Sequence, residues 1–169
     1  MPLQIETSTL RRRDQMHMDF KKYGIDATEI SPRLYQGSMP QPGDDLKRCG
    51  FDLLVLAAQE YQPEERMFHG VRVLHAPMDD ATLSSGEWIQ AVRVARQVAQ
   101  AVRRGKTVLV TCAQGRNRSG LIVAVTLHLL TGESGGRIIR GIQARRRNAL
   151  TNESFVRRLE QLRSATLRT

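Results

Sequence analysis

Short apolar runs recur along the chain and are separated by turn residues. Residues 52–58 are continuously apolar after the first position, which is typical of an interior strand of a parallel sheet. Residues 71–76 form another strand, and residues 108–110 form a short valine-rich run. Residues 30–38 read as a further strand with a turn on each side. These runs supply the strands of the predicted sheet.

Helical periodicity is clearest between Gly86 and Arg103. Ser84 or Ser85, followed by Glu87, is typical of a capping box that begins such a helix. Apolar residues then recur at the spacing of one helix face, at Trp88, Ile89, Val92, Val94, Ala95, Val98 and Val102.

Three more helices are predicted towards the C-terminus. The apolar run 121–130 is too long for a typical strand and favours a helix. Residues 131–134 break it and cap a helix that continues to Arg147, and residues 151–154 start the last helix, residues 155–167. Asn152 is expected to cap that helix.

Strands that alternate with helices predict an α/β fold. We expect a central, mostly parallel sheet of four to five strands with helices on both faces. Residues 28–169 are predicted to form one domain, because they contain neither an internal repeat nor a low-complexity linker. Residues 1–27 are predicted to be an N-terminal arm or short helix packed on it. Ligands of such sheets bind beyond the carboxyl ends of the strands.

The residues between the strand at 108–110 and the helix at 121–130 carry the candidate chemistry. They include Cys112, Gly115 and Arg118 and contain no carboxylate. A strand that leads through a glycine-containing loop into a helix is an anion site, because loop amides and the helix N-terminus favour negative charge. Cys49 lacks this pattern, since Val55 stands six residues after it.

Each residue type in this loop suits thiolate chemistry on a phosphate. A free cysteine thiol has a pKa of about 8.5, and amides, a helix dipole and arginines favour its ionised form. Arg118 can bind two phosphate oxygens bidentately, and Gly115 can adopt a positive φ. Ser119 can donate its hydroxyl proton to the sulfur of Cys112 as that sulfur leaves. An inert packing cysteine is the alternative for Cys112.

These residues resemble the signature loop of the cysteine-dependent protein tyrosine phosphatase superfamily, and the short chain suggests its dual-specificity branch. The resemblance implies that Cys112 is the nucleophile, Arg118 the phosphate-binding arginine and Ser119 the hydroxyl residue. It implies a phosphate-binding loop that also contains Ala113, Gln114, Gly115, Arg116 and Asn117. One departure is Thr111, which stands where the family usually has histidine.

A general acid is needed near this loop to protonate the leaving oxygen. In the resembling phosphatases the acid commonly lies three residues after a proline that closes a strand, and counting from Pro77 gives Asp80. Asp79 is the alternative acid, although a turn-forming role suits it better. Asn117 is expected to brace the loop or to contact a base or headgroup, and Arg116 to add positive potential at its mouth.

Composition limits the partners. The net charge of +9 predicts anionic partners: a phosphorylated protein or another anionic phosphomonoester, with nucleic acid also possible. The arginines at 145–147 are expected to lie on a solvated helix face. The histidines have no ligand-like spacing, so we expect no metal and no cofactor. No membrane span is predicted, because the longest apolar run, 121–130, is too short.

Two cysteines are too few for a disulfide framework, and a catalytic thiol implies a reducing compartment. No signal peptide is evident in residues 1–10. We therefore expect a cytoplasmic protein, and the oligomeric state stays open.

The function predicted first is a dual-specificity protein phosphatase that acts through a phosphocysteine intermediate. The alternatives of the same fold are an RNA 5′-phosphatase, which Asn117 and the basic charge suggest, and a phosphoinositide phosphatase, which Arg116 suggests. The alternative of another class is a catalytically silent phosphate-binding module, which would bind phosphopeptides without releasing phosphate.

Overall fold

The structure, a computed structural model, describes residues 19–165. Its strands are β1 (Ala27–Ser31), β2 (Leu34–Ser38), β3 (Leu53–Ala58), β4 (Arg72–Met78) and β5 (Val108–Cys112). Its α-helices are α1 (Asp45–Arg48), α2 (Ser85–Arg103), α3 (Arg118–Thr131), α4 (Gly135–Arg145) and α5 (Glu153–Glu160). Two 3₁₀ turns cover Phe20–Tyr23 and Glu65–Met67.

The five strands form one sheet in the order β1-β2-β5-β3-β4. Strands β2, β5, β3 and β4 run parallel to one another, and β1 pairs antiparallel with β2 at one edge. The predicted fold class is confirmed. Strand β5 is central, so the loop that follows it emerges in the middle of the carboxyl edge.

The two faces of the sheet bury two separate apolar clusters, because successive side chains of a strand point to opposite faces. Leu53 and Val55 of β3 belong to the larger cluster, which helices α2 to α5 cover. Leu54 and Leu56 belong to the smaller cluster, which Phe20, α1 and the segment around Phe68 cover. Within residues 19–165, four helices, α2 to α5, therefore cover one face of the sheet, and one short helix, α1, covers the other.

The hydrophobic pattern located α2 well. Helix α2 begins after Ser84, whose hydroxyl accepts from the Glu87 amide while the Glu87 carboxylate accepts from the Ser84 amide. This capping box is the one that the sequence predicts. Phe20 falls within the predicted arm, and its ring stacks on Phe51 and meets the edge of Tyr35. The rest of the arm, residues 1–18, lies outside the described residues.

Two predicted strand boundaries differ from the structure. Residues 30–38 are not one strand but the end of β1, a turn at residues 32–33 and β2, and Arg33 takes a positive φ of 68° in that turn. Strand β4 continues through Pro77 to Met78. It is an edge strand, where a missing N–H donor is tolerated.

Two predicted helices are shorter than expected. Helix α4 ends at Arg145 rather than Arg147, and α5 ends at Glu160 rather than near residue 167. Beyond α5 the backbone pairs with the turn between α3 and α4, because the Leu162 carbonyl accepts from Gly135 and the Ala165 amide donates to Gly132. Those contacts replace further helical bonds.

Candidate active site

The segment from the end of β5 to the start of α3 contains most of the predicted site residues. Arg118 begins α3, as the sequence predicts, whereas Cys112 ends β5 rather than lying in the loop after it. Gly115 has a φ of +64°, and a Cβ built on it would lie 2.5 Å from the carbonyl carbon of Gly37. Both the conformation and the close approach to β2 therefore require glycine at this position.

Cys112 lies at the floor of a small cavity of about 180 Å³. The residue is only 3% exposed. Its Sγ is 3.3 Å from the Ser119 hydroxyl, which is fully buried in the first turn of α3. The other residues that line the cavity are Asp80, Ala113, Gln114, Arg116, Asn117 and Arg118.

Glu60 holds the Arg118 guanidinium in place. Nη1 and Nη2 of Arg118 donate to the two Glu60 carboxylate oxygens at 2.6 Å each, and Nη1 also donates to the Met78 carbonyl at 3.1 Å. The hydrogen bond from Arg118 lowers the pKa of Glu60 to about 2, and the same bond raises the pKa of Arg118. Both groups are therefore charged near neutral pH.

The remaining donors of Arg118 lie on one edge of its guanidinium. Nε is buried and has no hydrogen-bond partner within residues 19–165. An arginine has five N–H donors, and the contacts to Glu60 and Met78 use three of them. Nε–H and the second hydrogen of Nη2 are left side by side, which is the geometry that binds two oxygens of an oxyanion.

Arg146 supports the loop from the end of α4. Its Nε donates to the Gly115 carbonyl at 2.6 Å, and its Nη2 donates to the Gln114 carbonyl at 3.2 Å. Arg146 also pairs with Asp26 at 2.6 Å, and its hydrogen bonds lower the pKa of that carboxyl. The prediction that residues 145–147 lie on a solvated face is wrong for Arg146, whose side chain is 14% exposed.

Asn117 joins three segments of the site. Its Oδ1 accepts from the backbone amides of Thr151 and Asn152 at 2.7 and 2.9 Å, so the orientation of its side-chain amide is fixed. Its Nδ2 then donates to Asp80 Oδ2 at 3.0 Å. The sequence predicts that Asn117 braces its own loop or contacts a base or headgroup, whereas its side chain ties that loop to Asp80 and to the start of α5.

Asp80 lies at the rim of the cavity between two asparagines. Asn152 Oδ1 caps α5 by accepting from the Ser154 and Phe155 amides, as predicted. Its Nδ2 therefore donates, at 2.8 Å to Asp80 Oδ1. Each Asp80 carboxylate oxygen thus has an asparagine donor. Asp79, the alternative acid, does not line the cavity in the part of the chain that the structure describes.

The Thr111 side chain forms a hydrogen bond to the strand beside β5. Its hydroxyl donates to the Val55 carbonyl of β3 at 2.8 Å and is fully buried. This local hydrogen bond satisfies the hydroxyl inside the sheet. Thr111 points to the opposite side of β5 from Cys112, because side chains alternate along a strand.

Three residues that shape the site were not predicted from the sequence. Glu60 could have been found, because it is a carboxylate two residues beyond a buried parallel strand, at the edge where ligands bind. Gln36 is a polar residue in the middle of a short strand, which is a weaker signal. No pattern in the sequence distinguishes Arg146 from Arg145 and Arg147.

Within residues 19–165, no three His, Cys, Asp or Glu side chains are grouped closely enough to hold a metal ion. None of the described helices is long and apolar enough to cross a membrane.

A parallel α/β sheet with a Cys–X₅–Arg loop at its carboxyl edge, next to an aspartate, defines the class of cysteine-based phosphatases. A family model described as "Dual specificity phosphatase, catalytic domain" matches residues 34–165. The chain belongs to this family. No curated protein matches the chain significantly.

Solved structures resemble about four-fifths of this chain. Tk-PTP in its active form is 27% identical with a TM-score of 0.69, over 80% of this chain and 97% of that chain. Human DUSP28 is 24% identical with a TM-score of 0.69, over 79% and 95%. PTPMT1 in complex with PI(5)P is 19% identical with a TM-score of 0.65, over 80% and 93%. The last two comparisons show the shared fold alone.

Proposed function

We propose that this protein is a dual-specificity protein phosphatase that hydrolyses phosphotyrosine and phosphoserine or phosphothreonine through a phosphocysteine intermediate. The observation that carries the proposal is the convergence of four groups on one cavity of about 180 Å³. These groups are the Cys112 sulfur, the Ser119 hydroxyl behind it, the unpaired edge of Arg118 and the Asp80 carboxyl at the rim.

In the first step the Cys112 thiolate attacks phosphorus and the bond from phosphorus to the leaving oxygen breaks. Asp80, in its protonated form, transfers its proton to that oxygen, so a neutral alcohol or phenol departs. Arg118 binds the equatorial oxygens through Nε–H and Nη2–H and stabilises the charge that they carry in the transition state. Glu60 keeps this edge directed at the cavity.

In the second step water attacks the phosphocysteine and the P–S bond breaks. The Asp80 carboxylate takes a proton from the attacking water, and the products are inorganic phosphate and the Cys112 thiolate. The Ser119 hydroxyl donates a hydrogen bond to the sulfur, without transferring its proton, as negative charge returns to the sulfur. The side chains of this chain thus account for every proton that moves.

A groove beside the cavity supports a protein as the substrate. It has a volume of about 1050 Å³ and shares Asp80 and Asn117 with the cavity. Trp88 and Ile89 of α2 line one side of it, and Ile89 is 67% exposed. A peptide that carries a phosphorylated side chain needs such space for its flanking residues.

The contacts of Asn117 argue against the RNA 5′-phosphatase, whereas the position of Arg116 favours the phosphoinositide phosphatase. Asn117 Oδ1 and one hydrogen of Nδ2 are engaged within the protein, so the contacts of this amide favour a bracing role over contact with an RNA base. Arg116 favours a substrate with a second phosphate, such as a phosphoinositide. Arg116 is exposed and lines the cavity, and its side chain makes no hydrogen bond or ion pair with residues 19–165.

Side-by-side turnover of four substrates tests the proposal. Phosphotyrosyl and phosphothreonyl peptides should both release phosphate, faster than an RNA 5′-triphosphate or vesicles that contain a phosphoinositide. Faster release from the RNA or the vesicles would replace the protein substrate with that alternative. Binding of phosphopeptide without release from any substrate would instead indicate the silent phosphate-binding module.

A further inference from the structure

Gln36 is an unusual residue for its position. It lies in the middle of β2, is fully buried and faces the phosphate-binding loop. Its Nε2 donates to the carbonyls of Gly115 at 3.0 Å and Arg116 at 3.3 Å. Its Oε1 is buried and has no partner among the described residues. Burying a carbonyl without a donor costs free energy, so an apolar residue here would be less costly.

The orientation of the Gln36 amide is determined by its surroundings. An amide can be placed with its oxygen and nitrogen exchanged, and its neighbours decide which is correct. Two backbone carbonyls face this end of the side chain, and an oxygen placed there would meet acceptors only. The NH₂ group must therefore face the loop, and the unpaired oxygen is a consequence of that requirement.

The same NH₂ group reaches the Ser119 hydroxyl. Gln36 Nε2 is 3.3 Å from Ser119 Oγ, and an amide nitrogen donates but does not accept. Ser119 Oγ therefore accepts from Gln36. The other hydrogen-bond partner of Oγ within residues 19–165 is the Cys112 sulfur at 3.3 Å. A thiolate has no hydrogen to donate, so with Cys112 ionised the Ser119 hydroxyl hydrogen is directed to the sulfur.

We propose that Gln36 is a positioning residue that holds the Ser119 hydroxyl as a hydrogen-bond donor to Cys112. The inference rests on the proposed function for its consequence in turnover, but the geometry concerns the sulfur alone. A fixed donor stabilises the thiolate before attack on phosphate and again when the phosphocysteine breaks. Without Gln36 the hydroxyl can rotate, and the sulfur loses part of that stabilisation.

The test uses Gln36→Leu, which removes the amide at similar side-chain size, in a Cys49→Ala background so that labelling reports Cys112. The first measurement is the pH at which iodoacetamide labelling of Cys112 is half-maximal. Gln36→Leu should raise that pH by about one unit, which corresponds to a tenfold smaller thiolate fraction at a given pH. Ser119→Ala should cause a similar shift. The Gln36→Leu/Ser119→Ala double variant should shift no further, because both changes remove one interaction.

A second measurement separates positioning from simple support of the loop. Vanadate affinity reports the shape of the loop, and it should fall less than threefold in Gln36→Leu. Rapid-quench measurement of the phosphoenzyme should show slower hydrolysis of the intermediate.

An unchanged labelling profile, or a shift that adds to that of Ser119→Ala, would overturn the inference. Labelling needs no turnover, so it tests the role of Gln36 even if the protein hydrolyses none of the substrates offered. If Gln36→Leu does not fold, Gln36→Met is measured instead, because its unbranched side chain adapts to irregular space.

Discussion

The two cysteines of this chain are equally buried but have different surroundings. Cys112 is 3% exposed and Cys49 is 4% exposed, and neither is in a disulfide. Cys112 ends the central strand, beside the Ser119 hydroxyl and the Arg118 guanidinium. Cys49 follows α1 on the other face of the sheet, among apolar side chains that include Phe51.

The difference teaches that neighbours, rather than exposure, distinguish a reactive cysteine from a packing one. Burial raises the pKa of the Cys49 thiol, and the nearby Asp45 charge raises it further. Cys49 is therefore neutral at physiological pH and packs as a small apolar residue. The two cysteines also lie on opposite faces of the sheet, so a disulfide between them would require the fold to open.

The largest expected effect comes from exchanging sulfur for oxygen at each cysteine in turn. Cys112→Ser should lower the hydrolysis of p-nitrophenyl phosphate by at least about 10³-fold, because a serine hydroxyl without a base is a poor nucleophile. Cys49→Ser, the matched control, should leave kcat within about threefold. Equal losses in both variants would mean that Cys112 acts through packing.

The next effect concerns the acid that serves Cys112. Asp80→Asn should reduce kcat on a phosphotyrosyl peptide by roughly 10²-fold, since proton donation to the leaving oxygen is lost. Asp79→Asn should change it by less than about threefold. With an activated aryl phosphate, whose leaving group needs less protonation, the Asp80→Asn loss should shrink. The opposite ranking of the two aspartates would reassign the acid.

Labelling compares the two cysteines directly. In the native protein at pH 7, iodoacetamide should modify Cys112 at least about tenfold faster than Cys49, because only a thiolate reacts. Mass spectrometry of tryptic peptides after timed labelling measures both rates in one sample. In urea, where both side chains are exposed, the two rates should converge.

The smallest effect is an acid dependence of stability. The pKa of Glu60 is lowered to about 2 in the folded protein from an ordinary 4.5, so its bond with Arg118 stabilises the fold above pH 4.5. That contribution is lost as the pH falls from 4.5 towards 2. The urea midpoint of the wild type should therefore fall more steeply across this range than that of Glu60→Gln. Equal slopes of the urea midpoint against pH in the two proteins would show that solvent around the half-exposed Glu60 side chain screens the ion pair completely.

Much of this architecture could be predicted from local patterns. The apolar run of β3 and the capping box of α2 are properties of adjacent residues, and both predictions were confirmed. The spacing from Cys112 to Arg118 also lies within one loop. The ends of α4 and α5 could not be predicted, because distant backbone groups decide them.

The residues that hold the site in place were not predicted from the sequence for the same reason. Gln36 and Arg146 meet the loop across separations of 79 and 31 residues, and Glu60 meets Arg118 across 58. Their residue types alone do not indicate which distant groups they contact. Only the fold brings them to the loop.

The cap of α5 has a consequence for when this protein becomes active. Asn152 caps the last helix and also donates a hydrogen bond to Asp80, so folding of that helix and placement of the acid occur together. Asn117, the other asparagine that donates to Asp80, is itself fixed by the Thr151 and Asn152 amides. On the proposed mechanism, the acid is therefore in place only when the last helix has folded, and that helix is what completes the enzyme.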